Sequence, residues 1–272
     1  MTYNRQNPGR VGRVETPEIR ALTVDMEERQ KGANVRPWRK RVELCGGRAV
    51  CYLGDCLEIL PTLEAGSVDA VVTDPPYFLP ASHYCTRSLS ARSLSDLSML
   101  EYFYRAVFAA IHHVLLPSGF AYVFCDGQSY PVFFLQAYPH FRRVRPIVWD
   151  KQTSINGYAW RHQHELILFC EGVDSPPVKT GDGDVLQCRA VPVAKRLHAA
   201  QKPVSLLRRL IAKTTPEGGT VLDPFMGSGS TAEAAMSLGY NFVGIESDPN
   251  YFDIACQRIA DAAPLFTRQK GS

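Results

Sequence analysis

Thr220-Val221-Leu222-Asp223-Pro224-Phe225-Met226-Gly227-Ser228-Gly229-Ser230-Thr231 is the stretch whose reading decides the fold. It passes from a short apolar strand through a glycine turn into a helix. Ser230 or Thr231 suits the N-cap, Ala232-Glu233-Ala234-Ala235-Met236 continues the helix, and Gly239 stops it. A second strand, Phe242-Val243-Gly244-Ile245, is closed by Glu246. Strand, glycine turn, helix and strand make a β-turn-α-β unit of nucleotide-binding type, with an acid about 20 residues beyond the glycines where a ribose hydroxyl would sit. The loop is not GxGxxG and carries no P-loop lysine, so a nucleoside without phosphates fits it better than a pyrophosphate.

Working outward, strands and helices alternate along the chain. Ala49-Val50-Cys51-Tyr52-Leu53 reads as a strand, with a short helix over 57–63 and a second strand over 68–73. Residues 98–115 place Phe103, Val107, Ala110, Ile111 and Val114 on one helical stripe. A strand follows over 119–125, a helix over 130–138, and strands over 144–149 and 166–169. Over 203–215, Leu206, Leu207, Leu210 and Ile211 face inward, and Arg208, Arg209 and Lys213 face out; Pro203 suits the first turn. A last helix starts after Asp248-Pro249 and runs through Ile259. This alternation predicts an α/β, doubly wound sheet with ligands at the carboxyl ends of its strands.

Composition sets the outer bounds. The 272 residues, 45% of them hydrophobic, suffice for one α/β core with one small insertion. No apolar run reaches membrane-spanning length and the N-terminus is charged rather than signal-like, so a soluble, cytoplasmic protein with no membrane partner is expected. Eight cysteines show no CxxC pairing, and several lie inside apolar strands; they read as buried thiols of a reducing compartment. His162 and His164 flank Gln163 with only Glu165 nearby, which is no tetrahedral set, so no metal is expected.

The second informative stretch is Asp74-Pro75-Pro76-Tyr77, at the end of the apolar run 68–73. Two prolines donate no backbone hydrogen bond and keep the chain extended. The corner therefore presents a carboxylate, outward carbonyls and an aromatic face to one small space. That set suits a planar ring bearing an exocyclic amine: carboxylate and carbonyl accept from the amine, and the tyrosine stacks.

Several motifs in one order resemble a known family. They are Gly54-Asp55-Cys56-Leu57, Asp74-Pro75-Pro76-Tyr77, His198 with Gln201-Lys202-Pro203, Leu222-Asp223-Pro224-Phe225-Met226-Gly227-Ser228-Gly229, and Gly244-Ile245-Glu246 with Tyr251. Over most of residues 48–260 the chain is similar to the permuted (β-class) amino-methyltransferases that use S-adenosylmethionine, particularly the adenine-N6 DNA enzymes. In that family the catalytic motif precedes the cofactor motif, as here; many DPPY or NPPY enzymes acting on ribosomal RNA or protein glutamine have the reverse order. The resemblance implies a class I methyltransferase sheet of seven strands, mostly parallel with the last antiparallel, whose halves are circularly permuted. It implies that Asp74, Pro75, Pro76 and Tyr77 are catalytic on a base flipped from double-stranded DNA. Asp223, Phe225, Gly227, Ser228 and Gly229 would shape the methionine and ribose pocket, Glu246 would take the ribose hydroxyls, Lys202 the methionine end and Asp55 the cofactor adenine. A homodimer and a restriction-modification setting come with the same resemblance. Cytosine-N4 methylation shares this chemistry, but the family's cytosine members more often carry Ser where Asp74 stands. A DNA-binding protein that kept the fold and lost activity is the reading from another class, and the intact Asp74, Tyr77, Gly227, Gly229 and Glu246 speak against it.

These expectations divide the chain. Residues 1–41 carry ten Lys/Arg against five Asp/Glu, a basic arm suited to phosphates, with Arg36-Pro37-Trp38-Arg39-Lys40-Arg41 at its end. Residues 42–172 form the catalytic half, with a lid loop at 78–97 that closes over the base. Residues 151–164 mix donors and aromatics suited to DNA, including Thr153, Trp160 and Arg161. A short target-recognition insertion spans 173–200, the cofactor half 201–262 and a tail 263–272.

Overall fold

The computed structural model describes residues 36–77, 97–153, 159–178, 181–192, 194 and 201–267. The arm up to residue 35, the lid at 78–96, His198 and residues 268–272 lie outside the described residues. Nine strands form one sheet: β1 Trp38–Leu44, β2 Ala49–Gly54, β3 Val68–Thr73, β4 Leu115–Cys125, β5 Arg143–Asp150, β6 His164–Glu171, β7 Val185–Gln187, β8 Thr220–Asp223 and β9 Asn241–Glu246. Their order is β1-β2-β9-β8-β3-β4-β6-β5-β7. The helices are α1 Cys56–Ile59, α2 Leu97–Val114, α3 Tyr130–Ala137, α4 Val204–Thr214, α5 Ser230–Ser237 and α6 Pro249–Thr267.

The expected seven strands are thus exceeded by two. Both extra strands are polar edges that carry little apolar signal. β1 pairs antiparallel with β2, and β7 adds three residues, Val185–Gln187, parallel to β5. β1 also corrects the arm's boundary, because Trp38 to Arg41 belong to the sheet. Trp38 packs edge-on against Tyr52 at 5.2 Å, Lys40 pairs with Asp253 at 3.0 Å, and Arg41 pairs with Glu43 at 2.6 Å. The last helix runs to Thr267, into the segment expected as a tail.

Strand period two splits the core between two faces. Along β4, Phe120, Tyr122 and Phe124 point to one layer and Ala121, Val123 and Cys125 to the other. The first layer packs against Leu206, Leu207, Leu210 and Ile211 of α4 and against α5 and α6. The second packs against Leu100, Tyr104, Phe108 and Ile111 of α2 and Phe133 of α3. Helices on both faces are the doubly wound arrangement expected. β2, β9, β8, β3 and β4 run parallel; β6 is antiparallel to both β4 and β5.

The order locates the site. From β8 the chain crosses through α5 to β9 on one side, and from β3 it crosses through α2 to β4 on the other. The switch point is therefore the gap between β8 and β3, where an open α/β sheet holds its ligand outside the carboxyl ends. Asp74 follows β3 and Asp223 ends β8, so both motifs emerge at that gap.

Candidate active site

A hydrogen bond ties the two motifs together: Thr73 Oγ1 donates to Asp223 Oδ1 at 2.7 Å, both residues being buried. The β3–β8 register, Ala70↔Val221 and Val71↔Leu222, sets this approach. Asp223 also accepts from the Phe225 amide at 3.1 Å and from the Thr231 hydroxyl. All three are neutral donors, so no cation in this set offsets the burial. Burial lifts the Asp223 carboxyl to about 6 against their pull.

That shift has a defined sign. Between about pH 4 and 6 Asp223 is protonated in the folded chain and ionised in the unfolded one. Its contribution to stability is full below about 4 and is lost as pH rises through about 6, an interval worth about 3 kcal/mol. Asp223→Asn is expected to flatten that slope in urea denaturation across this range. An unaltered slope would assign the titration to another group.

The glycine loop is fixed by its backbone. Gly227 and Gly229 have φ of 54° and 81°, in the left-handed region that side chains disfavour. A Cβ on Gly229 would also lie 3.1 Å from Ala255 Cβ of α6. Gly229 is the N-cap of α5, which corrects the expected Ser230 or Thr231 cap; the left-handed turn spends the cap position on a glycine. The loop is pinned by Met226 N–H to the Ile245 carbonyl at 2.9 Å and Gly229 N–H to the Met226 carbonyl at 3.0 Å. Arg258, which the sequence reading passed over, braces it from α6: Nη1 donates to the Ser228 carbonyl at 3.2 Å and to Ser230 Oγ at 3.1 Å, and Nε meets Glu233 at 2.6 Å. Phe225 tilts against Phe103 of α2, with ring centroids 6.2 Å apart.

Glu246 closes the pocket from β9. Its Oε2 accepts from Gly227 N–H at 2.8 Å, and Oε1 from Ser247 N–H at 2.9 Å and Asp248 N–H at 2.8 Å. The carboxylate is thereby held in one orientation, with acceptor capacity left on Oε2. Asp55 caps α1 by accepting from Leu57 N–H at 2.8 Å, and the β2–β9 register, Leu53↔Glu246, brings it to the same end of the sheet.

The catalytic corner follows β3. Tyr77 Oη donates to Asp74 Oδ1 at 2.5 Å, and Tyr104 Oη donates to the Pro76 carbonyl, anchoring the corner to α2. Lys202, fixed just before the buried stripe of α4, reaches this corner: Nζ is 2.5 Å from Asp74 Oδ2 and 3.3 Å from Glu165 Oε2. Glu165 Oε1 meets Lys151 Nζ at 2.5 Å. Burial raises the Asp74 carboxyl above the ordinary range despite Lys202, and raises the Tyr77 hydroxyl strongly. Burial pushes Glu165 upward too, but Lys202 and Lys151 together outweigh it and hold that carboxyl below the usual range.

The structure thus brings together Asp74, Pro75, Pro76 and Tyr77 with Lys202 on one side of the gap, and Asp223, Phe225, Gly227, Ser228, Gly229 and Glu246 on the other. The sequence reading missed Glu165 as a member and placed Lys151 among DNA-facing donors; the β5–β6 hairpin, pairing Asp150↔His164, turns both inward. The available signal was an acid directly before the apolar run Leu166-Ile167-Leu168-Phe169, the same signature as an acid directly after the run at 68–73. Trp160 is 87% exposed. Among the described residues, no group of His, Cys, Asp and Glu could hold a metal ion, and no helix is long and apolar enough to cross a membrane.

A switch-point site on an α/β sheet with helices on both faces is shared by doubly wound nucleotide-binding folds, and solved structures place this chain with the class I methyltransferase fold among them. Residues 68–180 and 175–257 match the DNA methylase family of N6/N4 type, and the chain belongs to that family, whose members use S-adenosylmethionine. It is 25% identical to the type II methyltransferase M.HinfI of Haemophilus influenzae over 78% of this chain and 68% of that protein. It is 23% identical to the type II methyltransferase M2.MboI of Moraxella bovis, over 80% and 90% respectively. Among solved structures, M1.HpyAVI superposes with a TM-score of 0.59 at 26% identity, covering 77% of this chain and 97% of that one. The PvuII cytosine-N4-specific DNA methyltransferase gives 0.64 at 15% identity, over 85% and 96%, a likeness of fold alone.

The residues present fit that cofactor. At Gly227 the loop is open, a Cβ there meeting no atom nearer than the Phe225 carbonyl at 4.0 Å. Glu246 offers a fixed carboxylate to a ribose diol, and buried Asp223, with neutral partners only in its hydrogen-bond set, favours a cationic ligand.

Proposed function

We propose that this protein methylates the exocyclic N6 amine of adenine in double-stranded DNA, on a base flipped from the duplex, using a circularly permuted catalytic domain. The observation that carries this reading is the Asp74 carboxylate, held at the switch point by the Pro-Pro corner and linked through Thr73 to the cofactor loop. A base amine is a weak nucleophile because its lone pair is delocalised into the ring. Acceptance of its protons by Asp74 and the Pro75 carbonyl favours a tetrahedral nitrogen with the lone pair released, while Tyr77 stacks on the ring. After transfer the nitrogen carries one proton too many, and Asp74, whose raised carboxyl binds protons more readily than a surface aspartate, is placed to take it. When bound, S-adenosylmethionine supplies a methyl group that is already electrophilic, so holding the base in line contributes much of the acceleration. Asp223 and the loop 225–229 would hold the methionine and ribose portions, Glu246 the ribose hydroxyls, and Asp55 the adenine end.

Nucleoside mass spectrometry of DNA from methylation-deficient cells expressing this protein tests the reading. New N6-methyladenine is expected, and sequencing the same DNA gives the target site. N4-methylcytosine would replace the base assignment, and neither mark would overturn DNA amino-methylation.

A further inference from the structure

The Lys202 ammonium lies where the proposed reaction needs a base amine. Its Nζ sits 2.5 Å from Asp74 Oδ2, 3.3 Å from Tyr77 Oη and 5.5 Å from the Tyr77 ring centroid. An N–H donor on the acceptor carboxylate, beside Tyr77, reproduces within the chain the Asp74 contact assigned to the exocyclic amine. The same Nζ is 3.3 Å from Glu165 Oε2, so one buried lysine stands between two carboxylates. Lys151 pins the far side of Glu165 at 2.5 Å and lies over the Trp149 ring at 5.3 Å. Two lysines and two carboxylates make a neutral cluster, in which removal of one charge strands another in a buried setting.

We propose that Lys202 is an internal placeholder for the target amine, and that Glu165 is the positioning residue that receives its ammonium when a base enters. The proposal rests on the amino-methyl-transfer reading above. The lysine need not leave the site, because it is already within ion-pair distance of both carboxylates and its four-carbon stem is flexible. Glu165, held below the ordinary carboxylate range chiefly by Lys202 and Lys151 acting against burial, is an anion whenever the enzyme is folded near neutrality. Asp74 thus stays paired until DNA delivers a donor. A base must displace an ion pair to reach it, which a stray amine with no stacked ring or duplex contacts does poorly.

A double-mutant cycle tests this, using tritiated S-adenosylmethionine and unmethylated genomic DNA, with cofactor Kd by calorimetry and thermal midpoints alongside. In the wild-type background Glu165→Gln is expected to lower kcat/KM for DNA about 10- to 100-fold, the worth of one charge-assisted contact. The ammonium then has Asp74 as its carboxylate and competes with the base. In a Lys202→Met background the same change, read against that background's own rate, is expected to cost less than about threefold, because no competitor remains. Cofactor Kd should stay within about threefold throughout. Lys202→Gln serves where the methionine variant melts early. An equal loss from Glu165→Gln in both backgrounds, or abolished turnover in both Lys202 variants, would overturn the placeholder. A rise in cofactor Kd of about tenfold on removing the lysine would instead assign it to the methionine end. A wild type that methylates no DNA removes the parent reading and the placeholder together, whereas an active wild type with a flat cycle removes the placeholder alone.

Discussion

Asp74→Ala is expected to abolish methyl transfer while leaving S-adenosylmethionine affinity within about threefold of wild type. The side chain faces the Tyr77 hydroxyl and the Lys202 ammonium, whereas the glycine loop, Asp223 and Glu246 are held by contacts of their own. Loss of a preorganised acceptor at the reacting nitrogen costs on the order of 10²–10³ in kcat, and loss of the proton acceptor adds to it. Asp74→Asn separates the two contributions: its amide oxygen still accepts from the amine but takes up no proton, so its turnover should fall between those of the alanine variant and wild type. Both variants leave Lys202 sharing Glu165 with Lys151, so thermal midpoints are measured beside turnover to separate lost chemistry from lost fold. Single-turnover incorporation into DNA, set beside cofactor Kd, is the decisive pair of measurements. Retained turnover in the alanine variant would remove Asp74 from the chemistry.

Much of the site was legible because its parts are local. A glycine that must take positive φ, a proline pair after an apolar run and an acid at a strand end each leave a mark within about ten residues of sequence. The catalytic and cofactor motifs could therefore be named, and their meeting at the switch point followed from the alternation of strands and helices. Contacts between distant segments left no such mark. The ion pairs of Lys202 with Asp74 and Glu165 span 128 and 37 residues, and Lys151 turns inward only because the β5–β6 hairpin dictates it. Edge strands were missed for a different reason. β1 reads Trp-Arg-Lys-Arg-Val-Glu-Leu, whose charges fit a solvated arm as well as an exposed strand, and β7 is too short for any period to show. The Gly229 cap was misassigned because serine and threonine outrank glycine at N-caps unless a left-handed turn precedes the helix.

Glu246→Ala is expected to raise the S-adenosylmethionine Kd about 100-fold. Two losses combine. The ribose hydroxyls lose a charged acceptor, with each such hydrogen bond worth about 1.5–3 kcal/mol. The Gly227, Ser247 and Asp248 amides also lose the carboxylate that brackets the loop against β9, so the pocket is no longer preorganised. Glu246→Gln, which keeps one oxygen acceptor, should fall between the variant and wild type. The discriminating feature is kinetic: with saturating cofactor the alanine variant should recover most of its kcat on DNA, because Asp74 and Tyr77 are untouched, and the defect should appear in the cofactor KM. The rise in thermal midpoint on adding S-adenosylmethionine should shrink in parallel, since ligand stabilisation follows the ratio of concentration to Kd. An unaltered Kd with an unaltered thermal shift would mean that the ribose is held elsewhere and that Glu246 serves only to fasten the glycine loop.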